Sequence, residues 1–497
     1  MEQERLIESI GLPARELRSY LLKEIDEFLA ADTPEAQSAE FDDIVFALRA
    51  FAFAHARSHF SFDATAMSQK IEQRLRTFGT ISKKPPCIPE GGLLRRPFSV
   101  VHFALGKFGG NWDDRSALKN GTVAELILLI ETSPHANGQF ANHLIVTFDD
   151  VDRIDFVRVC SGTKSEARGT VLCRVPNFLF RKSKRDGSLQ DVEGLMTLQI
   201  LAAMDQVCFA HDAIVHFHSW ESGFLMTSDE FNDRLNGFRT YFSPYLTITR
   251  LLDFMEREGD EGYTISPALG ALARRYERLM IDRCNTVVLE SQRDASFYRS
   301  SGRGNNIQLV SFAPGRHQFV SRPSDTVLDF IAGGRPVREK GFIELCDRIA
   351  ELLPWARDTG VSVSLRLLCR ERDRQKGGGY QKELERRIED RGLSNIVWIE
   401  DKVPLSELKA DIRKASALIV PSLYDPCCLM PTYAMEARRV SFISCYAGIS
   451  EGVESVDFIF DPLKAGDLCR AVRAWYEHDT PFAFESANLP YDRLYLR

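Results

Sequence analysis

The chain has 497 residues, 44% of them hydrophobic and 27% charged, with a formal net charge of -7. That length suits two or three domains with buried cores, and the mild acidity argues against broad nucleic-acid or anionic-membrane binding, leaving only a local basic cleft open. No apolar run approaches the roughly 18 to 20 residues that span a bilayer. The start Met1-Glu2-Gln3-Glu4-Arg5 lacks a signal-peptide core, and the eleven cysteines have no metal-site spacing. A cytoplasmic protein with reduced thiols is therefore expected.

From about Glu4 to Arg76, apolar residues such as Leu17, Tyr20, Leu21, Ile25 and Phe28 recur at helical spacing, which predicts an α-helical extension over residues 1–90. His55 and His59 can share one helix face, as two zinc ligands would, but with no third ligand in view they read as a packing pair. The proline-rich stretch Lys83–Pro89 marks a boundary. Phe98–Phe103 reads as the first strand of an α/β domain, followed by the turn Gly106-Lys107-Phe108-Gly109-Gly110-Asn111 and a helix-like run Thr122–Leu129. Further strands are expected at Asn142–Phe148 and Thr170–Val175, and the basic Phe180–Asp186 reads first as a solvated loop and second as a clamp for an acceptor phosphate. A helix from Val192 to Phe209 leads into the strand-like run Ala213–Phe217, then His218, Ser219 and Trp220. Residues just past a strand's carboxyl end line the ligand crevice of an open α/β sheet, which gives His218 a place there. His216, inside the strand, reads as a hydrogen-bonded core residue. A helix at Arg274–Met280 and a strand with its turn at Asn285–Ser291 follow.

The second half opens on the buried strand Val327–Ala332, the turn Gly333-Gly334-Arg335-Pro336-Val337-Arg338-Glu339-Lys340-Gly341 and a helix from Phe342. Such a turn suits an anion: glycines let the backbone come close, the helix N-terminus offers unpaired N–H groups, and Arg335 and Lys340 supply countercharge. Strands at Val363–Cys369 and Ile396–Ile399 flank a charged helix Lys382–Arg391, and another helix starts near Pro404. The plan then repeats with an acidic turn: the strand Ala417–Val420, the bend Pro421 to Leu429 that holds Asp425, Cys427 and Cys428, and a helix through Ala437. Ser441–Tyr446 is a last strand before the turn Ala447-Gly448-Ile449-Ser450-Glu451.

Together the two turns resemble the donor half of retaining GT-B glycosyltransferases, the group that includes glycogen and starch synthases, sucrose-phosphate synthase and bacterial mannosyltransferases. The resemblance implies an α/β chain of the GT-B class, two facing Rossmann-like domains behind the helical extension. The expected boundaries are 1–90 for the extension, 91–322 for the acceptor domain, 323–478 for the donor domain and 479–497 for a tail crossing back to the first lobe. In that group an Arg and a Lys after a Gly-Arg turn hold the donor diphosphate, and Arg335 and Lys340 match the spacing. A later segment carries two glutamates, one facing the donor sugar and one holding the ribose. Asp425 stands for the first and Tyr433 for the second, with Glu436 one helical turn on as a substitute. Gly333, Gly334, Cys428, Leu429 and Gly448 complete the implied donor site.

On the acceptor side, Lys107, Gly109 and Gly110 resemble the Lys-Thr-Gly-Gly loop of the synthases. His218 and Trp220 match a V-x-H-x-H-D-W segment in which Ser219 replaces the acid. The family's strand ending T-x-H falls on Tyr245–Leu252, where Thr249 or Arg250 takes the place of the histidine. The implied reaction is retaining transfer of a sugar or sugar-like cyclitol from a nucleotide diphosphate, with a UDP-sugar expected first and a GDP-sugar second, and without metal or other cofactor. Acceptor and oligomeric state stay open. The other hypothesis is a catalytically silent GT-B protein serving as a binding or scaffold subunit, in which Ser219, Tyr433 and the missing histidine are decay.

Overall fold

The computed structural model describes residues 97–105, 142–149, 151, 154–159, 169–177, 180, 189–258, 266–302, 306–311, 315–320, 326–370, 378–401, 403–478, 481–486, 488–490 and 494–495. The helical reading of residues 1–90, the His55 and His59 pair, the proline-rich boundary and the Lys107, Gly109 and Gly110 loop lie outside them.

The first lobe is built from β1 (Phe98–Phe103), β2 (Asn142–Asp149), β3 (Asp155–Val159), β4 (Gly169–Pro176), β5 (Phe209–His218), β6 (Arg239–Ser243), β7 (Thr286–Leu289) and β8 (Ile307–Ser311). After β9 (Gly315–Phe319), the second lobe contributes β10 (Val327–Gly333), β11 (Ser362–Arg370), β12 (Val397–Asp401), β13 (Ala417–Val420), β14 (Val440–Ser444) and β15 (Ile459–Phe460), and β16 (Phe482–Ser486) and β17 (Leu489–Pro490) follow. Runs such as Ala417-Leu418-Ile419-Val420 are buried along their whole length. Continuous apolar stretches of that kind mark strands of a parallel sheet covered on both faces.

The nine-stranded sheet has the order β17-β8-β7-β6-β5-β1-β2-β4-β3, and the six-stranded sheet the order β12-β11-β10-β13-β14-β15. Pairing is parallel throughout the second sheet, whereas in the first β3 runs antiparallel to β4. In the second sheet the chain runs from β10 outward to β11 on one side and returns to β13 on the other, so β10 and β13 form the switch point whose carboxyl ends frame a crevice. The glycine turn issues from the end of β10 and the acidic turn from the end of β13. In the first sheet, β1 lies between β2 and β5.

β17 and residues 494–495 return to the first lobe, whereas Phe482 and Phe484 of β16 pack in the second lobe's core. β16 pairs antiparallel with β9, β17 pairs with β8, and Leu494 and Tyr495 are buried against Val100, Ile214 and Tyr241.

Two expectations change. Tyr245–Leu252 is not a strand: β6 ends at Ser243, and Ile248–Glu258 is a helix. Its β-branched residues suggest a strand locally, but Glu277 from the helix Pro267–Arg283 accepts from Ile248 N at 2.6 Å and Thr249 N at 3.1 Å, satisfying the first N–H groups of a helix. The helix expected from Val192 to Phe209 spans Glu193–Met204, and Phe209 already opens β5.

Candidate functional site

The two turns meet backbone to backbone. Gly341 has φ +68°, and a Cβ there would lie 2.1 Å from the Pro421 carbonyl oxygen, so only glycine fits. The Glu339 carbonyl accepts from Leu423 N at 2.7 Å and Tyr424 N at 3.2 Å. Above this seam Lys340 Nζ stands 2.6 Å from Asp425 Oδ2, the two side chains 19% and 11% exposed. Burial alone would depress the Lys340 ammonium, but the Asp425 carboxylate outweighs it and raises its pKa. Arg335, 49% exposed, pairs with the buried Glu339 at 3.1 Å. At Gly333 a Cβ would come within 3.3 Å of Met430 Cε, which packs the end of β10 closely against the start of the helix Met430–Glu436.

The helix N-terminus is not the open anion site expected from the sequence. Phe342 N and Ile343 N of the helix Phe342–Thr359 donate to Tyr380 Oη at 3.0 and 3.3 Å. A buried helix end needs partners for its first N–H groups, and here a phenol of the neighbouring helix supplies them. Arg335 and Lys340 of this turn are each paired with a carboxylate, Glu339 and Asp425. The Gly448 turn is likewise engaged: Gly448–Gly452 is a short 3-10 turn, Gly448 N donates to the Asp425 carbonyl at 2.9 Å, and a Cβ at Gly448 would lie 2.4 Å from the Pro426 oxygen.

Beside Asp425 opens a cavity of about 310 Å³ lined by Glu290 and Val310 of the first lobe, Cys427, Cys428 and Gly448 of the second, and Ser486 of β16. Burial pushes the Glu290 carboxyl up to about 8 against its own backbone N–H, with Asp294 adding to the rise. A rise in that direction favours the protonated carboxyl, a proton donor at the cavity wall. Its one sequence signal was its position at the carboxyl end of a strand. The Cys427 and Cys428 thiols are held well above their ordinary range, chiefly by burial, so they shape the wall as neutral groups.

Among the described residues, two of the contacts that fasten the lobes come from Tyr424 and Glu451. Tyr424 of the second turn is buried in the first lobe's core, where its hydroxyl donates to the Thr247 carbonyl at 3.2 Å and the Arg250 guanidinium lies 5.4 Å from its ring centre. Arg250 also pairs with Asp294. The second comes from Glu451, whose carboxylate accepts from Gln292 N at 2.7 Å, Ser291 Oγ at 3.0 Å and Arg293 N at 3.2 Å, capping the helix Gln292–Ser300 from across the interface.

Of the remaining residues singled out from the sequence, Thr249, His218 and Trp220 lie in the first lobe, and Leu429, Tyr433 and Glu436 at the end of the second turn and in the helix after it. Thr249 Oγ1 donates to Glu277 at 2.5 Å in the first turn of its helix. His218 is fully buried, 2.5 Å from Tyr245 Oη and 2.9 Å from His102, and Trp220 is 7% exposed beside Tyr276. Between them Ser219 holds φ +68°, a conformation costly for a non-glycine residue and frequent at functional bends. Tyr433 lies in the second core with Lys409 4.8 Å from its ring centre, and the exposed Glu436 pairs with the same lysine at 2.9 Å. Leu429 is half-buried against that core.

No protein-family model matches the sequence, and no curated protein matches it. Solved structures do resemble it. Sucrose-phosphate synthase from Thermosynechococcus elongatus matches at a TM-score of 0.53 and 16% identity, over 77% of this chain and 92% of that one. An alpha,alpha-trehalose-phosphate synthase (UDP-forming) from Burkholderia xenovorans, in complex with glucose-6-phosphate, matches at 0.54 and 9%, over the same 77% and 92%. The trehalose-6-phosphate structure from E. coli bound with UDP-2-fluoro glucose matches at 0.50 and 12%, over 76% and 91%. The fold is GT-B, two Rossmann-like lobes, as the resemblance of the turns implies.

Proposed function

We propose that the chain is a retaining, metal-independent glycosyltransferase that takes a sugar, or a sugar-like cyclitol, from a nucleotide diphosphate. In this reading residues 91–322 carry the acceptor and 323–478 the donor, and residues 479–497 tie them together. The observation that carries it is the junction of the two turns at the switch point of the second sheet, where Lys340 pairs with Asp425 and Arg335 with Glu339, next in the chain to the cavity wall formed by Pro426, Cys427 and Cys428. Arg335 and Lys340 neutralise the leaving diphosphate, a task that preorganised cations perform without a metal ion. Asp425 accepts from the donor sugar's hydroxyls once the diphosphate draws Lys340 away, and Glu290 faces the same space from the first lobe. The solved structures named as UDP-forming, or as bound with UDP-2-fluoro glucose, support UDP as the donor's carrier, with GDP second. Free cysteines among the described residues suit a cytoplasmic location.

A second reading, a GT-B subunit that binds nucleotide without turnover, is favoured by Tyr433, which sits under Lys409 where the family resemblance calls for a ribose carboxylate. Thermal unfolding with UDP-, GDP-, ADP- and dTDP-sugars, followed by assay of nucleotide release, tests both. At about 100 times Kd a ligand that binds only the folded chain adds about 2.7 kcal/mol. Stabilisation with release supports the enzyme, stabilisation without release supports the silent subunit, and no stabilisation by any of them overturns both.

A further inference from the structure

Four of the chain's ten histidines converge on one face of the first sheet, away from the two turns. β1 and β5 pair in parallel with His102 opposite His216, and His218, two residues further along β5, points to the same face. His102, His216 and His218 are all fully buried, and one ring nitrogen of each lies within 4.8 Å of those of the other two. His102 Nδ1 and His218 Nε2 face each other at 2.9 Å. Each ring turns its other nitrogen, or a second contact, to a fixed partner: His102 Nε2 meets His143 Nδ1 at 3.1 Å, His216 Nε2 meets Ser243 Oγ at 2.8 Å, and His218 Nδ1 meets Tyr245 Oη at 2.5 Å. The remaining nitrogen of His216, Nδ1, meets Tyr495 Oη at 2.5 Å.

We propose that His102, His216 and His218 form a binding site for a divalent transition metal, zinc being the expected occupant, closed by the Tyr495 hydroxyl. Imidazole nitrogens suit zinc, and a tetrahedral ion with Zn–N bonds of about 2.0–2.1 Å sets its ligands about 3.3 Å apart, a spacing these rings reach by small rotations. Ligating histidines bind through one nitrogen and hand the other N–H to a second partner, and His143, Ser243 and Tyr245 are placed as those partners. His102 Nδ1 and His218 Nε2 share one hydrogen-bonding proton in the metal-free chain, and an ion bound between them takes that proton's place. A closed site of this kind is structural. It staples β1 and β5 to segment 494–495 and stands apart from the metal-independent chemistry proposed for the two turns.

The test uses the full chain, expressed in zinc-supplemented medium and dialysed against a weak chelator, with metal content read by mass spectrometry. About one zinc per chain is expected, and growth with cobalt should give the visible bands of tetrahedral Co²⁺ without a thiolate charge-transfer band. His216→Gln should abolish retention in a chain that circular dichroism shows to be folded, and His143→Gln should weaken it about 10- to 100-fold. Removing the metal with a strong chelator should lower the midpoint of thermal unfolding. A folded wild-type chain that retains no zinc overturns the proposal, and so does zinc that stays with folded His216→Gln or a cobalt spectrum with thiolate bands. If His216→Gln fails to fold, the wild-type metal content and cobalt spectrum decide the matter alone.

Discussion

Asp425→Asn should move stability and nucleotide affinity in opposite directions. Asp425 Oδ2 is 2.6 Å from Lys340 Nζ, and both side chains are largely buried. Removing the charge from one partner of a buried pair leaves the other uncompensated, at about 3–5 kcal/mol, and because the amide still accepts one bond the loss here belongs at about 3 kcal/mol. The same carboxylate competes with an incoming diphosphate for the ammonium. Its neutralisation leaves Lys340 to the phosphates, and a charge-assisted hydrogen bond is worth about 1.5–3 kcal/mol, so UDP should bind at least about 10-fold more tightly. Sugar transfer should fall in the same variant, because the acceptor of the sugar hydroxyls has been weakened. Lys340→Met should lower both stability and affinity, because it leaves Asp425 uncompensated in the same way and UDP should bind about 10- to 150-fold more weakly. Isothermal titration with UDP at fixed low salt, beside urea unfolding of the same preparations, measures both quantities. UDP affinity that falls with stability in Asp425→Asn, or that ignores both substitutions, would refute the assignment of this pair to the diphosphate.

Arg335→Ala should weaken UDP about 10- to 150-fold by titration calorimetry, with a smaller loss of stability than Asp425→Asn, since its guanidinium is half exposed. Gly341→Ala should cost more than about 3 kcal/mol, visible as low soluble yield or a depressed unfolding midpoint, because the new Cβ meets the Pro421 oxygen at 2.1 Å. Tyr424→Phe should lose about 1 kcal/mol with the bond to Thr247, and limited proteolysis between the lobes should quicken. Glu277 gives a pH signature. Burial raises its folded pKa to about 7 from 4.5, against the hydrogen bonds of Thr249 and Ile248. The folded chain thus holds a proton the unfolded chain releases, and stability should fall by about 1.4 kcal/mol per unit from pH 5 to 7 relative to Glu277→Gln, flattening above. Equal slopes in the two proteins would show that Glu277 is not the titrating group.

The second lobe was legible because its information is local. Fully buried parallel strands read as unbroken apolar runs, and glycines punctuate them where backbones touch, so β10, β13 and both turns can be placed from the residues themselves. What the sequence hid is non-local. Ile248 and Thr249 belong to a helix because a carboxylate 29 residues away caps it, and Tyr380 closes the helix at Phe342 from 38 residues away, a partner no spacing rule names. The histidines are the sharpest case. His216 and His218 share a face by the period of a strand, but that His102 and His143 join them follows only from the strand order and register.

Strand β17 and Tyr495 add a constraint on how the protein is made. They complete the sheet edge at β8 and the packing over Val100 and Ile214, yet they leave the ribosome after the whole second lobe. Domains usually mature in the order of synthesis. Here the earlier half waits, with an unpaired border strand exposed to other nascent chains, until the later half has been translated and can deliver its closing piece.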